Sequence, residues 1–600
     1  MRKGRGFRVI VNQRIKELRK LMKERGIDVY IEITSDPHQS EYVADHYKGR
    51  EFLTGFTGSA GTALVTEDKA ILWTDGRYFI QAEKEIRDSE FVLYKMNTKG
   101  YPSLMEWLKQ NVRDGHTIGF NGEVFSEELV EKIINELSDR NIRLYDSEDL
   151  VGMIWEDRPE LKAEKVFMLG VEYTGESTVD KITRVREYLD DKKADYFVLA
   201  SLDDIAWLFN IRGRDVLNNP VVISYALISK DKACLYLDNR KLTDEVIEKL
   251  KEEKVCVKEY LDIFEDLKKL ETSSCVMIDK SRINRKLYTC IPSDCKVINE
   301  VNITTKYKAI KNSVEIKNLK IAYRKDTVAL TKFFYWIDKN VSSGEIDEFL
   351  ASEKLEEFRK EQEGFIEPSF DTISAYQENA AMMHYSATRE KKSKILPKGL
   401  YLVDSGGQYY NGTTDITRTV AVGDVSEEEK KDFTLTLKGH INLLSAKFLY
   451  GSTGYSIDIL ARIPLWRQGI DYKSGTGHGV GYLLNVHEGP QRISQVYNDV
   501  VLEEGMVITI EPGVYKEGKH GIRIENVGVV KKDISVDTDQ FMSFDTLSYC
   551  YIDRNCIDKS LLTLDEINWI NDYHKKTYEL VSPYLSEEER EWLKEKTREI

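Results

Sequence analysis

Residues 63–77 (ALVTEDKAILWTDGR) and residues 226–240 (ALISKDKACLYLDNR) align without a gap, and eight of the fifteen positions are identical. Two unrelated hairpins with a common turn would agree at the turn. Here the identities run on through Ala63/Ala226 and Leu64/Leu227 on one side to Asp75/Asp238 and Arg77/Arg240 on the other. Duplication of a folding unit is the better reading. In each copy a helical pattern precedes a strand pattern. Ile15, Leu18, Leu21 and Met22 fall at helical spacing within 14–24, ahead of a strand at 28–33. The same grammar returns at 179–189 and 196–200. The expected fold is therefore α/β (α+β) in class, beginning with two related α/β domains at 1–160 and 161–310. The polar stretch 156–165, with Pro159, is the expected joint.

A chain of 600 residues is too long for one core, so more must follow. Ser313 is expected to cap a helix carrying Ile316, Leu319 and Ile321. Beyond Gly399 the pattern turns to strands with turn signals, at 400–405, 414–422, 505–511 and 521–530. These define a third domain, 311–545, and an extension, 546–600. The charged amphipathic pattern at 587–599 suits a solvated surface helix and a contact element for a second subunit equally well.

Composition excludes several functions. With 87 Lys+Arg against 102 Asp+Glu the net charge is −15, which argues against nucleic acid as a partner. No apolar run approaches the ~20 residues needed to cross a bilayer, and 221–228 is among the longer ones. The basic N-terminus leads into Asn12-Gln13-Arg14, without a signal peptide's apolar stretch. The seven cysteines include no C-x-x-C pair, so reduced, incidental thiols and a soluble cytoplasmic protein are expected.

The chemistry concentrates in 380–530. Asp404 ends the apolar strand Leu400-Tyr401-Leu402-Val403, and Asp415 lies in Thr413-Thr414-Asp415-Ile416-Thr417. Asn411-Gly412 between them is a type I′ hairpin signal. That turn sets 404 opposite 419, leaving the two carboxylates on one face but four positions out of register, roughly 13 Å apart. A bend or bulge at Gly406-Gly407 would have to close the gap. His478 stands in Gly475-Thr-Gly-His-Gly-Val-Gly481, where it is the one chemically useful side chain. A phosphate loop is set aside, because no strand–turn–helix unit surrounds these glycines. Glu511 ends a strand before Pro512-Gly513, and Glu525 lies in Gly521-Ile-Arg-Ile-Glu-Asn526. A carboxylate among apolar strand residues needs a metal or a salt bridge, and Arg523 and Lys519 are available for the latter. Four carboxylates and one imidazole suffice for two hard or borderline divalent ions, whereas a single tetrahedral zinc would usually show more His or Cys. His384, in Asn379-Ala-Ala-Met-Met-His384-Tyr385, is a candidate catalyst, although a lone His beside apolar residues is more often a core histidine.

DSGGQYYNGTTDITRT (404–419), GTGHGVGYLLNVHEGP (475–490), EPG (511–513) and GIRIEN (521–526) resemble the aminopeptidase P family, the Xaa-Pro aminopeptidases among the metal-dependent pita-bread peptidases. The segments 34–46, 55–66, 72–83, 202–226 and 547–574 resemble its long, three-domain cytosolic form, so the resemblance spans nearly the whole chain. It implies a C-terminal pita-bread catalytic domain and two divalent ions, usually manganese with cobalt or zinc as alternatives, on Asp404, Asp415, His478, Glu511 and Glu525. It also implies Glu511 as general base, and His384 as the residue that stabilises the carbonyl charge or relays a proton. His487 would hold substrate near the proline, and Arg523 would order ligands or substrate. The implied reaction is attack of a metal-bridging hydroxide on the carbonyl before a penultimate proline in short peptides, by a homodimeric cytoplasmic enzyme. Val514 and His520 depart from the family's pattern and bear on fine specificity. The alternatives are a prolidase, restricted to Xaa-Pro dipeptides, and a non-catalytic pita-bread binding module. The filled ligand positions speak against the latter.

Overall fold

The computed structural model describes residues 2–600, with side chains described from Ile10 onward. Packing divides the chain into two compact units, Met1–Gly170 with Glu176–Thr304, and Val171–Gly175 with Thr305–Ile600.

The first unit contains the duplication. Its first sheet has strands β1 (Val29–Ile33), β2 (Thr62–Thr66), β3 (Ala70–Thr74), β4 (Val92–Lys95), β5 (Thr117–Gly119) and β6 (Arg143–Tyr145) in the order β4-β3-β2-β1-β5-β6. β1–β2 and β2–β3 are antiparallel, and β3–β4, β1–β5 and β5–β6 are parallel. A second sheet repeats this order and these directions with Cys256–Lys258, Ala233–Leu237, Ser224–Ser229, Tyr196–Leu199, Cys275–Ile278 and Lys296–Asn299. The two echoed segments form equivalent hairpins, closed by Val65↔Ala70 in one and Ile228↔Ala233 in the other. Ile15, Leu18 and Met22 of the first helix, Arg2–Arg25, are buried in one cluster with Leu53, Val65 and Leu72. Each such side chain stabilises the fold by about 1.5–3 kcal/mol.

The halves of this unit meet with approximate two-fold symmetry. Ser126 and Asn284, the N-caps of equivalent helices, form an antiparallel bridge. Glu127 N donates to the Ile283 carbonyl (3.0 Å), and its counterpart Arg285 N donates to the Phe125 carbonyl (2.8 Å). Glu128 N to Lys280 O (2.9 Å) is matched by Lys286 N to Gly122 O (3.0 Å). The charges break the symmetry, because acids from the first half meet bases from the second: Glu127–Arg285 at 2.9 Å, Glu123–Lys286 and Glu131–Lys280 each at 2.5 Å. Acids on one half set against bases on the other favour pairing of unlike halves. The joint residues 156–165 carry no helix or strand, and all seven cysteines are free.

The second unit opens with the helix Ser313–Asn340, whose cap is Asn312 rather than the expected Ser313. Asn312 Oδ1 accepts from Val314 N and Glu315 N, while the Glu315 carboxylate accepts from Asn312 N. Glu315 supports that capping box only when it is three residues past the cap. Two three-stranded sheets follow. One holds Ile373–Tyr376, Leu400–Ser405 and Ile416–Ala421, and the other holds Phe365–Pro368, Gly407–Tyr409 and Gly412–Thr413. A six-stranded sheet includes Gly477–Gly479, Val507–Ile510 and Asn526–Val536, with Gly513–Lys516 and His520–Arg523 as a separate hairpin. The final helix, Glu587–Lys596, packs on Ser313–Asn340 of its own chain. Trp592 Nε1 donates to Asp338 Oδ2 at 2.7 Å, Tyr335 Oη to Glu588 Oε2 at 2.9 Å, and Leu593 is fully buried. That settles the inner face of this helix in favour of intrachain packing.

Candidate metal centre

Asp404 and Asp415 lie where one long hairpin passes from sheet to sheet. Asp404 pairs with Thr417, not with residue 419, and Gln408 pairs with Thr413. The turn is therefore Tyr410-Asn411, followed by Gly412 at φ 129°, and not the expected Asn411-Gly412 turn. The carboxylates are offset by two positions instead of four, about 7 Å along the strand. The type I′ turn fails because it needs positive φ at both central residues, and here the glycine follows the turn. The switch falls at Gly406, where a Cβ would collide with the Thr414 carbonyl.

Glu511 and Glu525 occupy the same place in a second hairpin. Ile510 pairs with Asn526 and Gly513 with Arg523, so an unbroken register sets Glu511 opposite Glu525 at the gap between the two sheets. Glu511 N donates to the Thr476 carbonyl (2.7 Å) and Glu525 N to the Thr417 carbonyl (3.2 Å), which ties both to the other ligand-bearing segments. His478 is carried by Gly477–Gly479, where a Cβ on Gly477 would collide with the Thr509 carbonyl. Its Nδ1 donates to the Gly479 carbonyl at 2.9 Å, leaving Nε2 as the lone-pair nitrogen of the neutral ring. Nε2 lies 3.4 Å from Asp415 Oδ2 and 3.5 Å from Glu511 Oε1. Asp415, His478 and Glu525 offer ligand atoms that all lie within 4.8 Å of one another.

The electrostatics favour a cation. Asp404 Oδ1 and Glu525 Oε1 are buried without a hydrogen-bond partner, which costs free energy in a protein interior. Burial, then crowding by Asp415, Glu511 and Asp404, pushes the Glu525 carboxyl well above the ordinary range. Burial also raises Asp404 and Glu511, although Arg523 opposes it at Asp404 and His478 at Glu511. Burial disfavours a charged His478, but Asp415 and Glu511 outweigh it and raise the ring to about 9. These oxygens and the imidazole suit hard or borderline divalent ions, which would satisfy both orphaned oxygens.

Of the two readings of Glu525, the salt bridge with Arg523 or Lys519 is not formed. Arg523 Nη2 contacts Asp404 Oδ2 at 2.5 Å, and Lys519 pairs with Glu428 at 3.0 Å. Arg523 also donates to Tyr515 Oη (2.8 Å) and to the Met383 carbonyl (3.4 Å), which anchors the loop carrying His384. His487 sits edge-on to His478 with ring centroids 4.3 Å apart. His384 and His487 are both half-buried. Val514 packs with Leu435, Leu465 and Tyr472, while His520 is buried with Nε2 2.8 Å from Asp432 Oδ2. Both departures are thus built into the core behind the hairpin. Sequence reasoning missed Thr417, whose Oγ1 donates to Glu525 Oε2 (2.8 Å), and Thr509, whose Oγ1 accepts from His478 N (3.0 Å). Both are ordinary strand threonines, and nothing local distinguishes them.

Fold and cluster together define a metallopeptidase of the pita-bread class. Residues 317–532 match metallopeptidase family M24, and residues 14–154 and 157–315 match creatinase/prolidase N-terminal domains. Residues 540–600 match the C-terminal region of peptidase M24. A probable Xaa-Pro aminopeptidase P of Paracoccidioides brasiliensis is 41% identical, with 99% of this chain and 100% of the relative covered. One from Sordaria macrospora is 40% identical, with 98% and 99% covered. The crystal structure of an X-prolyl aminopeptidase from Caenorhabditis elegans, described as a cytosolic enzyme with a di-nuclear active site, superposes with a TM-score of 0.94 at 33% identity. It covers 98% of this chain and 100% of that one. A Bacillus anthracis Xaa-Pro dipeptidase reaches a TM-score of 0.51 at 25% identity over 63% of this chain and 99% of its own. The chain belongs to the Xaa-Pro aminopeptidase P family and is a metallo-aminopeptidase.

Proposed function

We propose that the chain removes the first residue from short peptides whose second residue is proline. Two divalent ions, manganese in the first place, would be held by Asp404, Asp415, His478, Glu511 and Glu525. The observation that carries this reading is the convergence of Asp415, Glu511 and Glu525 on the His478 imidazole, with Glu525 Oε1 buried and without a hydrogen-bond partner. Bound ions supply Lewis acidity toward the scissile carbonyl and a nucleophilic water at neutral pH. Glu511, half-exposed at its strand end, takes the proton of the attacking water. His384 stabilises the developing negative charge on the carbonyl oxygen or relays a proton, and the proton taken from the water reaches the departing proline nitrogen through His384 or directly from Glu511. His487 orients the peptide at the proline ring, and Arg523 orders the site through Asp404. The bond before proline has no N–H, so imidazole and apolar surfaces must take over the positioning that other peptidases obtain from that group.

The test is hydrolysis of Arg-Pro-Pro and Arg-Ala-Ala by metal-stripped protein, before and after adding manganese. Free arginine is expected from Arg-Pro-Pro alone, and only with metal. Cleavage of both peptides would overturn the proline requirement, and cleavage confined to the dipeptide Arg-Pro would make the chain a dipeptidase.

The same reading divides the chain at 1–160, 161–310, 311–545 and 546–600 and places it in the cytoplasm as a homodimer. The Caenorhabditis elegans relative is described as cytosolic, and no helix among the described residues is long and apolar enough to cross a membrane. Tyr455 and Tyr497, 46% and 72% exposed, stand edge-on at 5.6 Å beside Val496, which is 62% exposed. Such clustered apolar surface favours a subunit contact. Sedimentation velocity is expected to give twice the 69.4 kDa chain mass, and a monomer at micromolar concentration would overturn the dimer.

A further inference from the structure

Arg418 follows Thr417 in the strand that carries the site, and it is 1% exposed. A guanidinium buried this deeply normally meets a carboxylate, yet its hydrogen bonds run to neutral acceptors. Toward the site, Nη1 donates to the carbonyls of Thr417 (2.8 Å) and Glu525 (2.5 Å). Away from it, Nη2 donates to the Cys550 carbonyl (2.8 Å), to Tyr573 Oη (2.8 Å) and to Asn526 Oδ1 (3.1 Å). Nε donates to the carbonyls of Cys550 (3.2 Å) and Tyr551 (3.1 Å).

Tyr573, on the helix Leu564–Val581, is the hub of the far side. Its hydroxyl also accepts from Asn526 Nδ2 (2.9 Å) and Cys550 N (3.0 Å), and it donates to the Cys550 carbonyl (3.0 Å). One guanidinium thus clamps the backbone of Glu525 and of Thr417, the strand partner of Asp404, and the acceptors that orient it belong largely to the C-terminal segment. Thr417 Oγ1 carries the same link to the Glu525 carboxylate. A five-donor planar fork holds several acceptors in one geometry, which an ammonium cannot do.

We propose that Arg418 and Tyr573 are positioning residues for the metal centre, so that the segment beyond residue 546 is a working part of the ligand scaffold. The inference rests on the reading that Asp404 and Glu525 hold ions. Substituting groups that orient metal ligands typically costs 10–100-fold in metal affinity.

The experiment is titration of metal-stripped, full-length protein with manganese, read by calorimetry, for wild type, Tyr573→Phe and Val581→Ala. The Phe variant keeps the ring that stacks on Trp569 at 5.1 Å and loses only the hydroxyl. Its manganese affinity is expected to fall about tenfold. Val581→Ala opens the buried face at the far end of the same helix, eight residues from Tyr573, so it should lower the melting temperature and leave affinity unchanged. Wild-type affinity in Tyr573→Phe overturns the proposal. So does a loss in both variants that tracks lost stability, because general packing would then explain it. If Tyr573→Phe does not fold, Arg418→Lys, which keeps the charge and removes the fork, is read in its place with the same expectation. Wild type that takes up no manganese would overturn the metal reading itself, a result separable from these.

Discussion

Glu511→Gln is expected to lower kcat by about 10²–10⁴-fold, the usual contribution of a positioned general base, equivalent to about 2.7–5.5 kcal/mol of barrier. Glutamine keeps the volume and removes the negative charge, so the variant cannot take up the proton of an attacking water. The backbone at 511 is fixed by its bond to the Thr476 carbonyl, and the side chain lies 3.4 Å from Thr509 Oγ1 and 3.5 Å from His478 Nε2. Neither contact requires a charged partner, so the circular dichroism spectrum should be unchanged. The side chain is also only half-buried, and an amide there remains partly solvated. In the metal-free chain, burial raises the proton affinity of this carboxylate, with Asp415 and Asp404 adding to it. The measurement is steady-state hydrolysis of Arg-Pro-Pro at saturating manganese, and activity within tenfold of wild type would remove Glu511 from the role of base.

Arg523→Leu is expected to destabilise the metal-free protein by about 3–5 kcal/mol, the cost of leaving a buried charge without its partner. Arg523 meets Asp404 at 2.5 Å, both side chains are nearly buried, and Asp404 stands among Asp415, Glu511 and Glu525. Without the guanidinium the acids face one another uncompensated. The pH dependence has a definite sign. Asp404 and Glu511 are raised from their ordinary values, Glu525 is raised well above its own, and His478 is raised to about 9. All four therefore bind protons more tightly in the folded chain than in the unfolded one. Their stabilising contribution is complete at low pH and is lost as pH rises through the folded-state values, for His478 through about 9. Bound divalent ions favour the deprotonated ligands and act in the opposite direction. The gap in melting temperature between manganese-loaded and metal-free protein should accordingly widen from pH 6 to pH 9, and more steeply in Arg523→Leu. Calorimetric scans check this, and a gap independent of pH would mean that these groups do not form the metal site.

The ligand types were legible in the sequence because each violates its surroundings. Asp404 closes a run of apolar strand residues, Glu525 follows Ile524, and His478 stands alone among glycines that leave room for little else. The duplication was legible too, since a hairpin keeps its turn spacing when the unit around it is copied, and both sheets have the same strand order. The extent of the C-terminal helix came close, 587–599 against the observed Glu587–Lys596, because amphipathic spacing is a local signal.

The tertiary structure alone decided how these residues meet. Asn411-Gly412 is a local turn signal, and it lost to a sheet switch at Gly406 that only the packing of Thr414 against residue 406 imposes. Glu511 and Glu525 are fourteen residues apart, yet they face each other because two separate strand pairings hold one register across a gap. Arg523 lies two residues from Glu525, yet it pairs with Asp404 at 2.5 Å, a partner far away in sequence that only the tertiary fold brings within reach. Arg418 and Tyr573 lie farther apart still, and their side chains are an unremarkable strand arginine and helix tyrosine until the fold brings them together. Residue type and local spacing therefore determined which groups this protein has for its chemistry. Long-range register and burial determined which of them share a site, because those depend on contacts that no short window of sequence contains.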